Sequence, residues 1–306
     1  MARYIIKRLI QTMVVMFCVS LIAFFLVRLA PGNPARMMLP DTATEEQVAA
    51  MEKKLGLDRS LIEQYLTYLN GVLHGDLGTS TLYRTPVKDV IMERLPNTAK
   101  LVGVTALVAI IIAVPLGILA ATHKGKPMDF FAMFFALLGQ SMCIVWLAVL
   151  CVFIFSVKLG WLPAMGIGKW QNYIMPAITL GYPMAAELTR IARSGMIDTL
   201  SEDYITSIRA KGVRRFVVNW KYAFKNATIP VLTLLGISIG SNMAGTIVAE
   251  TVFGWPGVGQ LLQNAIANRD YPLIQSMLLI SAAIFALINL VVDVINSMVD
   301  PRIVLE

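Results

Sequence analysis

The chain has 306 residues, 57% of them hydrophobic and only 15% charged, with 26 Lys and Arg against 19 Asp and Glu for a formal net charge of +7. Soluble domains run at about 45–50% apolar and about 25% charged, so the composition excludes a disordered chain, a collagen-like fibre and a conventional cytosolic enzyme. A mean hydropathy of +0.69 puts the bilayer first, where a basic excess reflects Lys and Arg held on the cytoplasmic side.

A helix needs about 20 mostly apolar residues to cross the hydrocarbon core. Six stretches meet that length: 9–29, 101–121, 130–157, 174–194, 228–250 and 273–297. Arg3, Lys7 and Arg8 precede the first, so it reads either as a retained helix or as a signal peptide. Its apolar run, Thr12 to Val27, outlasts the usual h-region, and Leu29-Ala30-Pro31 makes a poor cleavage site, which favours the retained helix.

Residues 30–97 are too many for a plain connector. Thr44 to Gln47 has the form of a capping box, and Gly56 is suited to end the helix that follows. A second helix is predicted from Ser60 to about Leu73, with Leu61, Tyr65, Leu69 and Leu73 on one stripe. An amphipathic cap on the membrane's outer face and a docking surface for an external partner fit this pattern equally well.

The second and third spans carry no charged residue, whereas Glu187, Arg190 and Arg193 occupy the last two turns of the fourth. Glu187 and Arg190, three apart, are expected to form a structural ion pair. Thr199 to Glu202 reads as another capping box, opening a helix that ends near Ala210, with Gly212 in a left-handed position beyond it. A short basic helix is predicted next, leading to Asn226 and Pro230. Six bases and no acid lie between Arg209 and Lys225. A positive-inside signal, an anionic-lipid site and a surface for a partner protein all accommodate them. Two capped helices around a glycine favour the partner.

In the fifth span, Gly236, Gly240 and Ala244 permit close helix approach. The turn-rich Phe253-Gly254-Trp255-Pro256-Gly257-Val258-Gly259 follows, and then an apolar stretch broken at Asn268-Arg269-Asp270. This is either an ordinary external turn anchored at the interface by Trp255 or a re-entrant segment. Asp293 lies about one turn inside the end of the last span, where structural pairing is expected.

With the N-terminus inside, the cytoplasmic segments hold fourteen bases against six acids and the external ones twelve against eleven. Both termini are therefore expected in the cytoplasm. Cys18, Cys143 and Cys151 all lie in apolar stretches, so no disulfide or metal framework is expected, and His74 and His123 read as loop residues. The sequence has no phosphate-binding loop and no hydrolase or zinc motif. No catalytic residue, cofactor or metal is therefore assigned to this chain, and six spans exclude a soluble nucleic-acid binder.

Several short motifs run in order along the chain. They are Arg28-Leu29-Ala30-Pro31-Gly32-Asn33-Pro34, Leu55-Gly56-Leu57-Asp58, Gly75-Asp76-Leu77-Gly78-Thr79-Ser80, Ser201-Glu202-Asp203-Tyr204 with Arg209-Ala210-Lys211-Gly212, Phe253 to Gly259 with Leu261-Leu262, Arg269-Asp270-Tyr271-Pro272 and Asp300-Pro301. In these residues the chain resembles the permease subunits of bacterial peptide-type ABC importers, which include oligopeptide, dipeptide, glutathione and nickel systems. It is most similar to the first of their two paired permeases. The resemblance implies an all-α, six-span type I ABC importer permease fold. It divides into residues 1–29, an external helical segment 30–97 and a five-helix core 98–306 with a coupling loop at 195–226.

It also implies roles. The 199–230 region is similar to the loop whose helix seats in a groove of the ATPase, which assigns ATPase coupling to Glu202, Arg209, Ala210, Lys211 and Gly212. Thr206, Ser207 and Ile208 stand where the general pattern has Glu-Ala-Ala, a departure that peptide-type members share. Trp255, Pro256 and Gly257 become candidates for an external turn or gate. The implied partners are a second permease, two ATPase domains carrying ATP and Mg, an external substrate-binding protein and membrane lipid of the bacterial cytoplasmic membrane. Peptide is favoured as substrate; a nickel or metal-chelate importer and a non-transport scaffold or sensor are the alternatives.

Overall fold

A computed structural model describes residues 2–29, 34–37, 39, 43–56, 58–244 and 246–299. Ala30 to Asn33, Leu57, Asp300-Pro301 and Arg302 lie outside the described residues, and with them parts of three of the motifs above. The described chain is helical apart from turns and one isolated bridge between Thr79 and Pro86.

Helix α1 (Ala2–Leu29) is followed by the short α2 (Pro34–Met37), α3 (Glu45–Leu55) and α4 (Leu61–Leu73). The capping box at Thr44 and Gln47 forms, Gly56 closes α3 at φ 66°, and Ser60 with Glu63 makes a second box at the start of α4. The stripe expected on α4 is only half used: Tyr65 stacks edge-on against Phe24 of α1 at 5.2 Å and Ser20 and Tyr65 share a 2.8 Å hydrogen bond, while Leu61 and Leu73 stay exposed.

Helix α5 (Val87–Thr122) runs 36 residues and packs along α8 (Gln171–Leu200), the centre of the bundle. A methyl group on Gly117 would stand 2.6 Å from the Ala192 side chain, so only glycine allows this crossing. Between these two helices the predicted third span is not one rod. It breaks into α6 (Pro127–Ser141) and α7 (Ile144–Cys151), which continues π-helically over Val152–Lys158, with a bend of 102°. No proline or glycine sits at the break. Packing on α8 sets it: Gly139 lies against Ala186 and Tyr182, and the Tyr182 hydroxyl donates to the Phe135 carbonyl at 2.8 Å.

Half of the residues of α8 are buried among other helices, and the predicted span 174–194, with its Glu187, Arg190 and Arg193, is the middle of this longer helix. By length and composition four helices qualify to cross a membrane among the described residues, five if the bent pair counts as one, and α8 is not among them. Glu187 and Arg193 are half-buried against neighbouring helices, while Arg190 and Asp198 are exposed.

Beyond α8 come α9 (Asp203–Ala210), α10 (Arg215–Val217), a π-helical turn Val218–Ala223 and α11 (Phe224–Met243). The last three are continuous, so the predicted short basic helix is the first part of a rod, Arg215–Met243, that continues through Pro230. Two short helices, α12 (Ile247–Val252) and α13 (Val258–Ala267), lead to α14 (Tyr271–Val299). The small-residue stripe faces α14: a methyl group on Gly236 would lie 2.2 Å from Val292, and one on Gly240 2.8 Å from Phe285. Asp293 pairs with Arg8 at 3.1 Å, tying α14 to α1.

Candidate functional sites at the two ends of the bundle

At the basic end, α9 is fastened by one face and open on the other. Ile205 is fully buried in a cluster with Ile118, Met196, Val218 and Ala227, and Tyr204 accepts a 2.7 Å bond from Asn226 Nδ2. Burial raises the Tyr204 phenol above its ordinary value, so it stays a neutral hydrogen-bonding group. Glu202, Arg209, Ala210, Lys211 and Gly212 are all exposed. Gly212 adopts φ +78°, the left-handed position expected of it, and its N–H donates to the Arg209 carbonyl at 3.0 Å.

The start of α9 differs from expectation. Thr199 does not cap it: α8 runs through Thr199 to Leu200, and the Thr199 hydroxyl turns back to the Gly195 carbonyl at 2.8 Å. The N-cap is Glu202 in extended geometry, without a side-chain bond to the helix. The predicted Glu187–Arg190 pair is also replaced. Among the described residues neither side chain has an ion-pair partner, and Arg193 instead grips Asp129 in a two-pronged bond of 2.6 and 2.8 Å. Asp129 is nearly buried and also accepts from the Gly125 N–H, so the α5–α6 turn is bolted to α8 about two turns before that helix ends at Leu200. Removing one partner of a buried pair costs about 3–5 kcal/mol. The partly exposed Arg193 puts Asp129→Asn at the low end. That variant is expected to lower the apparent melting temperature of the purified protein by about 6–10 °C; a shift below 1 °C would show the pair to be dispensable.

At the opposite end, the α12–α13 hairpin is organised on a residue that sequence reading missed. Glu250 is fully buried. Its Oε1 accepts from the Thr98 hydroxyl at 2.7 Å and the Thr246 hydroxyl at 3.2 Å, and Oε2 accepts from the Gln260 N–H at 2.9 Å. Thr98 Oγ1 in turn accepts from the Val258 N–H at 2.8 Å, so one carboxylate links α5, α12 and α13. Methyl groups on Gly257 and Gly259 would stand 2.3 and 3.1 Å from the Glu250 oxygens, which is the reason the turn needs glycine there. The legible signal was a lone acid at the edge of an apolar run, followed by Gly-x-Gly.

Trp255 does not anchor the turn at an interface. It is 1% exposed, stacks edge-on with Tyr173 at 4.7 Å and donates to the Asn97 carbonyl at 3.1 Å, while Asn97 Nδ2 donates to the Pro256 carbonyl at 3.0 Å. Trp255, Pro256 and Gly257 are thus packed against α5, with the irregular backbone hydrogen-bonded inside the protein.

The same end joins two motifs that lie far apart in sequence. Asp270 is buried, accepts from the Ser80 hydroxyl, and takes the Leu82 N–H at 3.1 Å and the Leu273 N–H at 3.3 Å. Ser276 adds a 3.2 Å bond to the Leu77 carbonyl. The Gly75–Ser80 and Arg269–Pro272 motifs therefore form one unit.

Residues 113–305 match the family described as "Binding-protein-dependent transport system inner membrane component", and residues 1–102 match its N-terminal counterpart. The glutathione transport system permease protein GsiC of Escherichia coli strain K12 is 40% identical over 303 residues, covering 99% of each chain. Its namesake in Salmonella paratyphi A shows the same identity and coverage. Among solved structures, the inward-facing MetNI methionine ABC transporter superposes with a TM-score of 0.60 at 16% identity, over 69% of this chain and 96% of that one. An amino acid ABC transporter with histidines gives 0.51 at 15%, over 70% and 94%. Likeness at that identity speaks for the fold alone.

Proposed function

This chain belongs to the family of binding-protein-dependent transport system inner membrane components, and from that premise we propose that it forms one half of the pore of an ATP-driven bacterial importer of short peptides, glutathione among them. The observation that carries the substrate class is the 40% identity to a glutathione permease over 99% of both chains. In this reading a second permease completes the pore, two ATPase domains bind the basic end from the cytoplasm, and both termini lie there. Residues 30–97 and the α12–α13 hairpin face outward, where a substrate-binding protein delivers cargo.

The geometry of α9 supports its role as the coupling element. Its buried face fixes it to α8 and to the rod Arg215–Met243, while Glu202, Arg209, Lys211 and Gly212 remain free for a groove on the ATPase. A short helix held this way transmits force as a lever. ATP binding can open the pore outward only by the difference in affinity that the ATPase dimer has for the two states of that lever. The Arg193–Asp129 bolt holds α8 to the α5–α6 turn about two helical turns before α8 ends.

The test is purification of the tagged protein from cross-linked native membranes, followed by mass spectrometry and by uptake assays of the reconstituted complex. We expect a second permease, ATPase subunits with phosphate-binding loops and a binding protein to be recovered, and labelled di- to pentapeptides or glutathione to be imported. Uptake of nickel but of no peptide would move the assignment to a metal importer. Recovery of the chain without any ATPase would remove the importer reading.

A further inference from the structure

Helix α4 has three sides rather than two. At 3.6 residues per turn, Tyr65, Tyr68 and Val72 share one of them. That side is turned to α1: Tyr65 meets Phe17, Ser20 and Phe24, and Tyr68 meets Phe24 at 6.0 Å. Ile62, Leu66 and Leu73 lie about 100° further round the axis, and each is more than half exposed. Glu63, Thr67 and Asn70 follow about 90° beyond them, and all three are exposed as well. An apolar and a polar face therefore stand side by side on α4, and both are left open.

The contacts with α1 set the depth of this helix. Residues 9–27 of α1 carry no charge. At 1.5 Å per residue they are about 29 Å long, the thickness of the hydrocarbon core, so Arg8 and Arg28 bracket it. The pairing of Arg8 with Asp293 of α14 marks the same inner edge. Counted back from Arg28, Phe24 lies about 6 Å and Ser20 about 12 Å inside the outer edge, and any tilt of α1 only changes these depths slightly. Tyr65 bonds Ser20 at 2.8 Å. Much of the reach of a tyrosine is spent crossing from one helix to the other, so α4 itself lies at the outer edge of the hydrocarbon and not above it. Its 13 residues, about 20 Å, are too short to cross.

We propose that α4 lies in the membrane plane, with Ile62, Leu66 and Leu73 sunk among the acyl chains of the outer leaflet and Glu63, Thr67 and Asn70 turned to headgroups and water. Only the choice of leaflet rests on the importer reading above. Lipid is the occupant because Ile22 and Phe25 of α1 are exposed at the same depth. A partner that arrives from water meets the polar face instead. This is the geometry of an interfacial helix, whose apolar side enters the acyl boundary by about 5–10 Å.

The experiment uses the complete complex in nanodiscs of phosphatidylethanolamine and phosphatidylglycerol. Nitroxides are attached one at a time to Ile62→Cys, Leu66→Cys, Thr67→Cys and Asn70→Cys, with Ile22→Cys as the lipid reference, in a background of Cys18→Ala, Cys143→Ala and Cys151→Ala. Oxygen concentrates in hydrocarbon and a nickel chelate stays in water, so the ratio of their effects on power saturation reads depth. The ratio at Ile62 and Leu66 is expected to match that at Ile22 and to exceed that at Thr67 and Asn70 several-fold. Equal, water-like ratios at all four α4 positions overturn the proposal. Exclusion of both reagents from Ile62 and Leu66 does so too, and gives the face to the second permease. Exclusion that begins only when loaded binding protein is added makes it a docking surface and also overturns the proposal. The side is read separately, with His74→Cys and a membrane-impermeant maleimide on intact spheroplasts. Reaction only after lysis would overturn the orientation in the importer reading, while the nitroxide ratios would still report the depth.

Discussion

Glu250→Leu is expected to be the most damaging single substitution in the chain. It removes the acceptor for three donors at once, the Thr98 and Thr246 hydroxyls and the Gln260 N–H, all inside a packed hairpin. Each orphaned buried donor costs about 1–3 kcal/mol, so a total of about 3–9 kcal/mol falls on a fold whose whole margin is of order 5–15. The variant should fail to accumulate in membranes, or should melt well over 10 °C lower in detergent, about 2–4 °C for each kcal/mol. Glu250→Gln keeps the shape and one acceptor but turns an N–H₂ toward the Gln260 N–H, so its loss should be intermediate. The pair of variants separates volume from hydrogen bonding. Wild-type stability in both would mean that the network is not what holds α12 and α13 to α5.

How much of this was readable in advance depended on sequence separation. The caps at Thr44, Gly56 and Ser60 and the left-handed Gly212 were legible, because each is a contract between residues two to four apart. Apolar runs located the bodies of α1, α5 and α14, since lipid asks only for composition, but not the polar extensions that lengthen α1 to 28 residues and α5 to 36. The same local reasoning failed at Thr199, where a valid capping pattern lies within a longer helix whose continuation is decided by packing. It failed at the 102° break, which follows Gly139-Gln140-Ser141, because three small or polar residues inside a long apolar run do not say whether the helix bends there. It could not find Glu250 or Trp255 in their true settings, because their partners Thr98 and Asn97 lie more than 150 residues away. The family motifs located Gly75–Ser80 and Arg269–Pro272, yet only the fold shows that Asp270 makes them one object.

On the proposed coupling role, Gly212→Pro is expected to abolish import while leaving the complex assembled. Proline fixes φ near −65° and has no N–H. Gly212 needs φ +78° and donates to the Arg209 carbonyl, so both requirements fail. Proline also pushes the preceding residue toward extended geometry, whereas Lys211 sits at φ −75°, ψ 6°. The end of α9 must therefore re-aim Arg209 and Lys211, the side chains offered to the ATPase. The buried face of α9, Tyr204 and Ile205, lies at its other end and is untouched, so insertion and pairing should survive. Peptide uptake should fall by about tenfold or more, the scale of a typical coupling free energy of 1–3 kcal/mol, and hydrolysis should no longer respond to the loaded binding protein. Gly212→Ala separates backbone direction from mere strain. A Cβ there meets nothing within 4 Å, so only the left-handed penalty of about 1–2 kcal/mol applies and most transport should remain. Uptake at the wild-type rate by Gly212→Pro would mean that the lever is elsewhere, and the open face of α9 would then need another explanation.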